Sequence, residues 1–168
     1  METTRHFVAT VYVVCDGATA LHEHEKLGMW LPPGGHVDRD ELPHEAALRE
    51  THEETGLDVD LVAPVGDLTS ETVESIPQPQ SFLLEDIDVH PDGRVSHQHV
   101  DFVFFGRAGT RAIRPSGDDE AHSAEWEWFT ADELRANAER FEPDVVELGC
   151  RAIRTVDGPR QDDRGDRP

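Results

Sequence analysis

A helix that carries Glu50, Glu53 and Glu54 sets three carboxylates on one face, because residues three and four apart are neighbours on its surface. Like charges at that spacing repel and weaken an isolated helix. The flanking residues still specify one. Pro43 suits a first helical position, where a missing N–H costs nothing. Asp40, Glu41 and Glu45 place negative charge at the positive end of the helix dipole. Gly56 is a natural stop. Ala47, Leu48, Thr51 and Thr55 lie opposite the acids and are expected to pack inward. Ahead of the helix, Trp30-Leu31-Pro32-Pro33-Gly34-Gly35 reads as a short strand and a tight loop. Gly34 and Gly35 have no Cβ, so this backbone can approach whatever the carboxylates hold. The acid face needs counter-charge: Arg49 supplies some, and a divalent cation is the obvious remainder.

Carboxylate oxygens suit hard cations such as Mg²⁺ or Mn²⁺. Mg²⁺ keeps several waters and completes its shell with substrate phosphates. Such an ion neutralises a diphosphate, orients it and acidifies an attacking water. The predicted chemistry is therefore metal-assisted phosphoryl transfer to water.

The spacing Gly35-x5-Glu41-x7-Arg49-Glu50-Thr51-x-Glu53-Glu54-x-Gly56-Leu57 resembles the Nudix box at every fixed position. Thr51 stands where that family usually has Ile, Leu or Val; its shape is close to Val. The resemblance implies an α/β fold, a mixed β-sheet sandwiched between helices. It implies that Glu50, Glu53 and Glu54 bind metal, with the Gly34 carbonyl as a further ligand. Arg49 then orients the glutamates, and Glu41, Gly35 and Gly56 support loop and helix. The general base varies in the family, between a box glutamate and a carboxylate on a distal loop. Here that loop is Asp118-Asp119-Glu120, and Glu120 is the candidate. The implied reaction is Mg²⁺-dependent hydrolysis, with Mn²⁺ as the alternative ion, of a nucleoside diphosphate linked to another group. A MutT-like nucleoside triphosphate pyrophosphohydrolase is favoured. An ADP-ribose or nucleotide-sugar pyrophosphatase is the alternative, and a nucleotide sensor without turnover is the reading from another class. The substrate partner is then a small nucleotide diphosphate derivative, and the family's frequent dimers imply a homodimer.

Outside the box the signals are weaker. His97 and His99 are alternate residues at the start of a strand and share a face, placed to meet substrate phosphate or a metal. Two histidines without a third ligand are a poor zinc case. His22 and His24 pose the same question. Phe82 is a candidate for stacking on a nucleobase, while Trp126 and Trp128 read first as core.

Size and charge bound the remainder. The 168 residues make one domain, assigned to 1–156, with 157–168 predicted as a disordered tail. No apolar run approaches the roughly 20 residues of a membrane span, and the first residues lack a signal peptide's pattern, so a cytoplasmic setting is expected. Cys15 and Cys150 read as small buried hydrophobes rather than a disulfide. The net charge of -21 weighs against docking on nucleic acid or an anionic membrane. It exceeds what a catalytic site needs and points to adaptation to high salt, where self-repulsion is screened over about 3 Å at 1 M, with an ordinary acidic cytosolic enzyme as the alternative. Unfolding free energy is accordingly expected to rise from dilute to molar KCl; equal stability in both would overturn the salt reading.

Strands are predicted over 6–16, 18–26, 57–68, 81–85, 100–106 and 125–129. Thr130 and Glu133 form a capping box for a helix to about Arg140, and Pro143 opens a last helix with Val145, Val146, Leu148 and Ile153 toward the core.

Overall fold

The structure is a computed structural model, and it describes residues 2–24, 28–116 and 125–158. Its frame is β1 (Thr4–Cys15), β2 (Ala18–His24), β3 (Met29–Leu31), β4 (Gly34–His36), α1 (Pro43–Thr55), β5 (Val59–Leu61), β6 (Ser81–Val89), β7 (Val95–Ala108), β8 (Trp126–Thr130), α2 (Ala131–Ala136) and α3 (Pro143–Asp157). The strands form one mixed sheet.

β1 and β7 are its spine. They run parallel and pair from Thr4↔His97 to Val14↔Arg107. Such pairing needs a long crossover, and the box helix lies within it. β1 turns into β2 through Asp16-Gly17, both at positive φ (49° and 76°), as a two-residue hairpin turn requires. Along the same strand β1 also pairs with β4 over Val8–Thr10. β2 carries β3 and β8, and β7 carries β5 and β6.

Side chains alternate across the sheet, so each face builds its own core. Ala9, Val11, Val13 and Phe104 pack with Ala46 and Ala47 of α1. Tyr12, Val14, Val103 and Phe105 pack on the other face with Leu134 of α2 and with Val145, Leu148 and Ile153 of α3. Val146 is partly buried against that core. This is the mixed sheet between helices that the sequence implies.

Several boundaries differ from the sequence reading. Leu48 is half-buried, and Ala46 takes the inward place expected of it. Thr51 and Thr55 are fully buried, and their hydroxyls donate to Ala47 O and Thr51 O. Thr at the usual aliphatic box position is thereby satisfied by its own helix. β5 stops at Leu61, before Pro64 and Gly66, rather than running on to Leu68. α3 continues through Asp157, whose carboxylate accepts from Gly17 N and Arg107. The capping box holds: Glu133 N donates to Thr130 Oγ1, and Thr130 N donates to Glu133. The helix it starts ends at Ala136, with a 3-10 turn over Ala138–Arg140. Cys15 and Cys150 are free and buried.

Candidate active site

α1 begins at Pro43. Glu45 reaches back so that its carboxylate accepts the Leu42 N–H at 2.9 Å, which satisfies one orphan donor of the first turn. It ends at Gly56 in the left-handed conformation (φ 69°), a backbone position that favours glycine. Residues 111–116 close over that end. Arg114 N donates to Thr55 O at 2.7 Å, and Ser116 N donates to Glu53 O at 3.0 Å. The last carbonyls of the acid-bearing helix are thus used.

Arg49 organises the acids. Its Nε and Nη2 donate to the two oxygens of Glu41 at 2.8 and 2.9 Å. Its Nη1 donates to Glu50 at 2.8 Å and reaches Glu53 at 3.4 Å. Nη2 also donates to the His36 carbonyl at 3.1 Å, which ties the helix to β4. The guanidinium holds the Glu41 carboxyl below the usual range, chiefly by hydrogen bonding, and these acids push Arg49 above the usual range. Glu41 also accepts the Asp38 N–H at 3.2 Å and so shapes the loop ahead of the helix.

The glycines admit the acids. A Cβ on Gly35 would fall on the Glu50 carboxylate, and one on Gly34 would stand 2.5 Å from the Ala9 carbonyl oxygen. Gly34 N donates to Glu54 at 3.0 Å. Gly34, Gly35, Glu41, Arg49, Glu50, Glu53 and Glu54 are therefore linked in one loop-and-helix constellation, with Gly56 closing the helix. The three acids offer hard oxygens on one helix face, and the Glu53 side chain is 47 % exposed. That donor set fits a cation held partly through water. Glu120 lies outside the described residues.

The other expected residues divide between the two faces of the sheet. Phe82 is opposite Phe102 in the β6–β7 ladder, their rings 5.3 Å apart, and Phe102 meets Phe7 at 5.7 Å. These aromatics share the face of Ala9 and α1. His97 and His99 lie on the opposite face with His6, so they do not share a surface with Phe82. There the ring of His6 stands 4.6 Å from His97, 5.1 Å from His36 and 6.4 Å from His99. Burial, then the three neighbouring imidazoles, lowers the His99 pKa. His6 and His36 are absent from the sequence reading. Their signal is the register, which pairs His6 with His99 and Val8 with both His36 and Asp101.

Asp101 is buried on this same face and accepts from Thr10 Oγ1 at 2.8 Å. Burial raises its pKa to about 7 against the lowering effect of the Thr10 bond. His22 is buried 4.6 Å from the Trp126 ring, and burial lowers its pKa to about 4. It is a neutral core side chain, with Trp126 packed beside it. Trp128 donates Nε1–H to Arg111 O at 3.2 Å and lies under the Arg111 guanidinium, so it anchors the 111–116 loop.

The family model described as NUDIX domain matches residues 4–148. The chain belongs to the Nudix family. As a Nudix hydrolase it is an enzyme, and hydrolases of this family generally use divalent metals such as Mg²⁺. The RNA pyrophosphohydrolase of Cereibacter sphaeroides is 30% identical over 123 residues, 70% of this chain and 69% of the relative. That of Erythrobacter litoralis is 28% identical over 137 residues, 80% of this chain and 79% of the relative. A Nudix-family hydrolase from Clostridium perfringens superposes with a TM-score of 0.75 at 30% identity, covering 89% of this chain and 97% of that one. Among the described residues of this Nudix hydrolase, no helix is long and apolar enough to cross a membrane.

Proposed function

We propose that this Nudix hydrolase cleaves the diphosphate linkage of a small nucleotide, with a nucleoside triphosphate as its favoured substrate and Mg²⁺ as its ion. The observation that carries the reading is the Arg49-centred constellation of Glu41, Glu50 and Glu53 beside the glycine loop. Glu50, Glu53 and Glu54, with the Gly34 carbonyl, hold the cation. When bound, it neutralises the diphosphate and acidifies the attacking water. Arg49 holds the acids in register. Phe82, 64 % exposed, offers a platform for the nucleobase together with Phe7. Glu120 is the proposed general base.

The names of the bacterial relatives favour a second substrate, the triphosphorylated 5′ end of an RNA. The net charge of -21 favours the small molecule, since a long polyanion gains little from so acidic a surface. Incubation with Mg²⁺ in molar KCl separates the two, using nucleoside triphosphates, ADP-ribose, dinucleoside polyphosphates, NADH and a 5′-triphosphorylated oligoribonucleotide. The expected result is a nucleoside monophosphate and pyrophosphate from the free triphosphate. Turnover of the oligoribonucleotide alone would transfer the assignment to RNA ends, and binding of nucleotides without turnover of any would overturn hydrolysis.

A further inference from the structure

The imidazole cluster lies on the sheet face opposite α1, and the hydrolytic reading leaves it without a task. Among the described residues, the ligand atoms of His6, His36 and His99 all lie within 4.8 Å of one another. His6 Nδ1 and His36 Nε2 are 3.2 Å apart. Two nitrogens bound to one tetrahedral ion at about 2.0–2.1 Å are separated by about 3.3 Å. That pair is already at the spacing of a shared metal.

The backbone fixes all three positions. His6 and His99 are direct partners in the parallel ladder, and His36 is opposite Val8 on the other edge of β1. Three rings from three strands therefore meet with no loop between them, and sites built on strands are held more precisely than sites on loops. His97 backs the group, its Nδ1 2.9 Å from Thr4 Oγ1 and its ring 5.1 Å from that of His99.

We propose that His6, His36 and His99 form a second metal site, for a borderline-soft divalent cation of the Zn²⁺ class. Imidazole nitrogen suits Zn²⁺, Ni²⁺ or Fe²⁺, whereas Mg²⁺ takes oxygen ligands, so this site and the carboxylates select different ions. The hydrogen bond between His6 and His36 uses one ring proton. On binding, the donating ring moves that proton to its other nitrogen, and both rings offer lone pairs with no change in net charge. Three protein nitrogens leave a fourth position for water or a substrate oxygen. His6 and His36 are exposed, so the position is open to solvent. His36 also joins the two sites: its ring enters the cluster, and its carbonyl accepts from Arg49.

Titration of the full chain with Co²⁺ in excess Mg²⁺, which keeps the carboxylates occupied, tests the site by visible absorption. One Co²⁺ per chain is expected, with the spectrum of a nitrogen-ligated four-coordinate ion, displaced by Zn²⁺. His6→Ala and His99→Ala should each weaken uptake by at least about tenfold, since loss of even an outer-shell partner costs about that much. Glu53→Gln should leave it unchanged. Circular dichroism of the His variants checks that they fold, and His6→Asn gives a second variant at an exposed position. Uptake that survives both alanine variants, uptake lost in Glu53→Gln, or no uptake by the wild type would overturn the proposal.

Discussion

Glu53→Gln is expected to lower kcat by at least about two orders of magnitude while leaving the melting temperature almost unchanged. The two effects separate because of where Glu53 sits. Its side chain is 47 % exposed and its contact with Arg49 is long, at 3.4 Å. Ion pairs of that kind contribute about 0–1 kcal/mol to stability. A charged ligand to a catalytic cation contributes several kcal/mol to the transition state, and each 1.36 kcal/mol is about tenfold in rate. Turnover measured against Mg²⁺ concentration, beside a thermal melt, gives both numbers. Wild-type kcat at saturating Mg²⁺ would remove Glu53 from the metal shell.

Arg49→Met is expected to cost about 2 kcal/mol of stability as well as activity. The guanidinium makes five hydrogen bonds: two to Glu41, one each to Glu50 and Glu53, and one to the His36 carbonyl. The Glu41 and Glu50 side chains are only 15% and 17% exposed, so removing their partner leaves largely buried carboxylates uncompensated. Arg49→Lys should rescue little, because a single ammonium cannot hold Glu41 with two parallel bonds and also reach Glu50 and His36. The effect also depends on pH. The Glu41 carboxyl is held below its ordinary range in the folded chain. Its contribution is complete above the ordinary glutamate value of about 4.3 and is lost as pH falls through the folded value. Denaturant melts of wild type and Arg49→Met should therefore converge in acid. A constant difference down to pH 2 would show that Arg49 acts by packing rather than by charge.

The box helix was legible almost to the residue because its ends are marked by chemistry that acts locally: Pro43 at the start and Gly56 at φ 69°. Only its inward face was misjudged, and by one position, since Ala46 and Leu48 both border the apolar stripe and the smaller side chain fits under the sheet. The polar ends of β6 and β7 were less legible. Val95 to Gln98 shows no apolar alternation, and Asp86-Ile87-Asp88-Val89 alternates over only four residues that are all exposed, yet the ladder continues there, with Gln98 donating to Asp86 at 2.8 Å. Backbone pairing carries those residues, and hydropathy cannot report it. The histidine cluster was hidden for a different reason. His6, His36 and His99 are far apart along the chain, and only the register of three strands joins them. Pattern reading sees neighbours in sequence; a site assembled across a parallel ladder has none.

That ladder also governs when the enzyme comes into being. Each partner pair from Thr4↔His97 to Val14↔Arg107 spans most of the described chain. Contacts between residues so far apart must close a long loop before they return any stability, and proteins dominated by them fold slowly. During synthesis, α1 with its carboxylates leaves the ribosome well before β7, and β1 lacks its parallel neighbour until β7 follows. In that interval β1, with Val11, Val13 and Val14 along it, presents one open edge of an apolar strand, the kind of edge that associates with other chains. A net charge of -21 opposes that association, by repulsion between copies in dilute salt and by the hydration of its carboxylates where salt screens the repulsion.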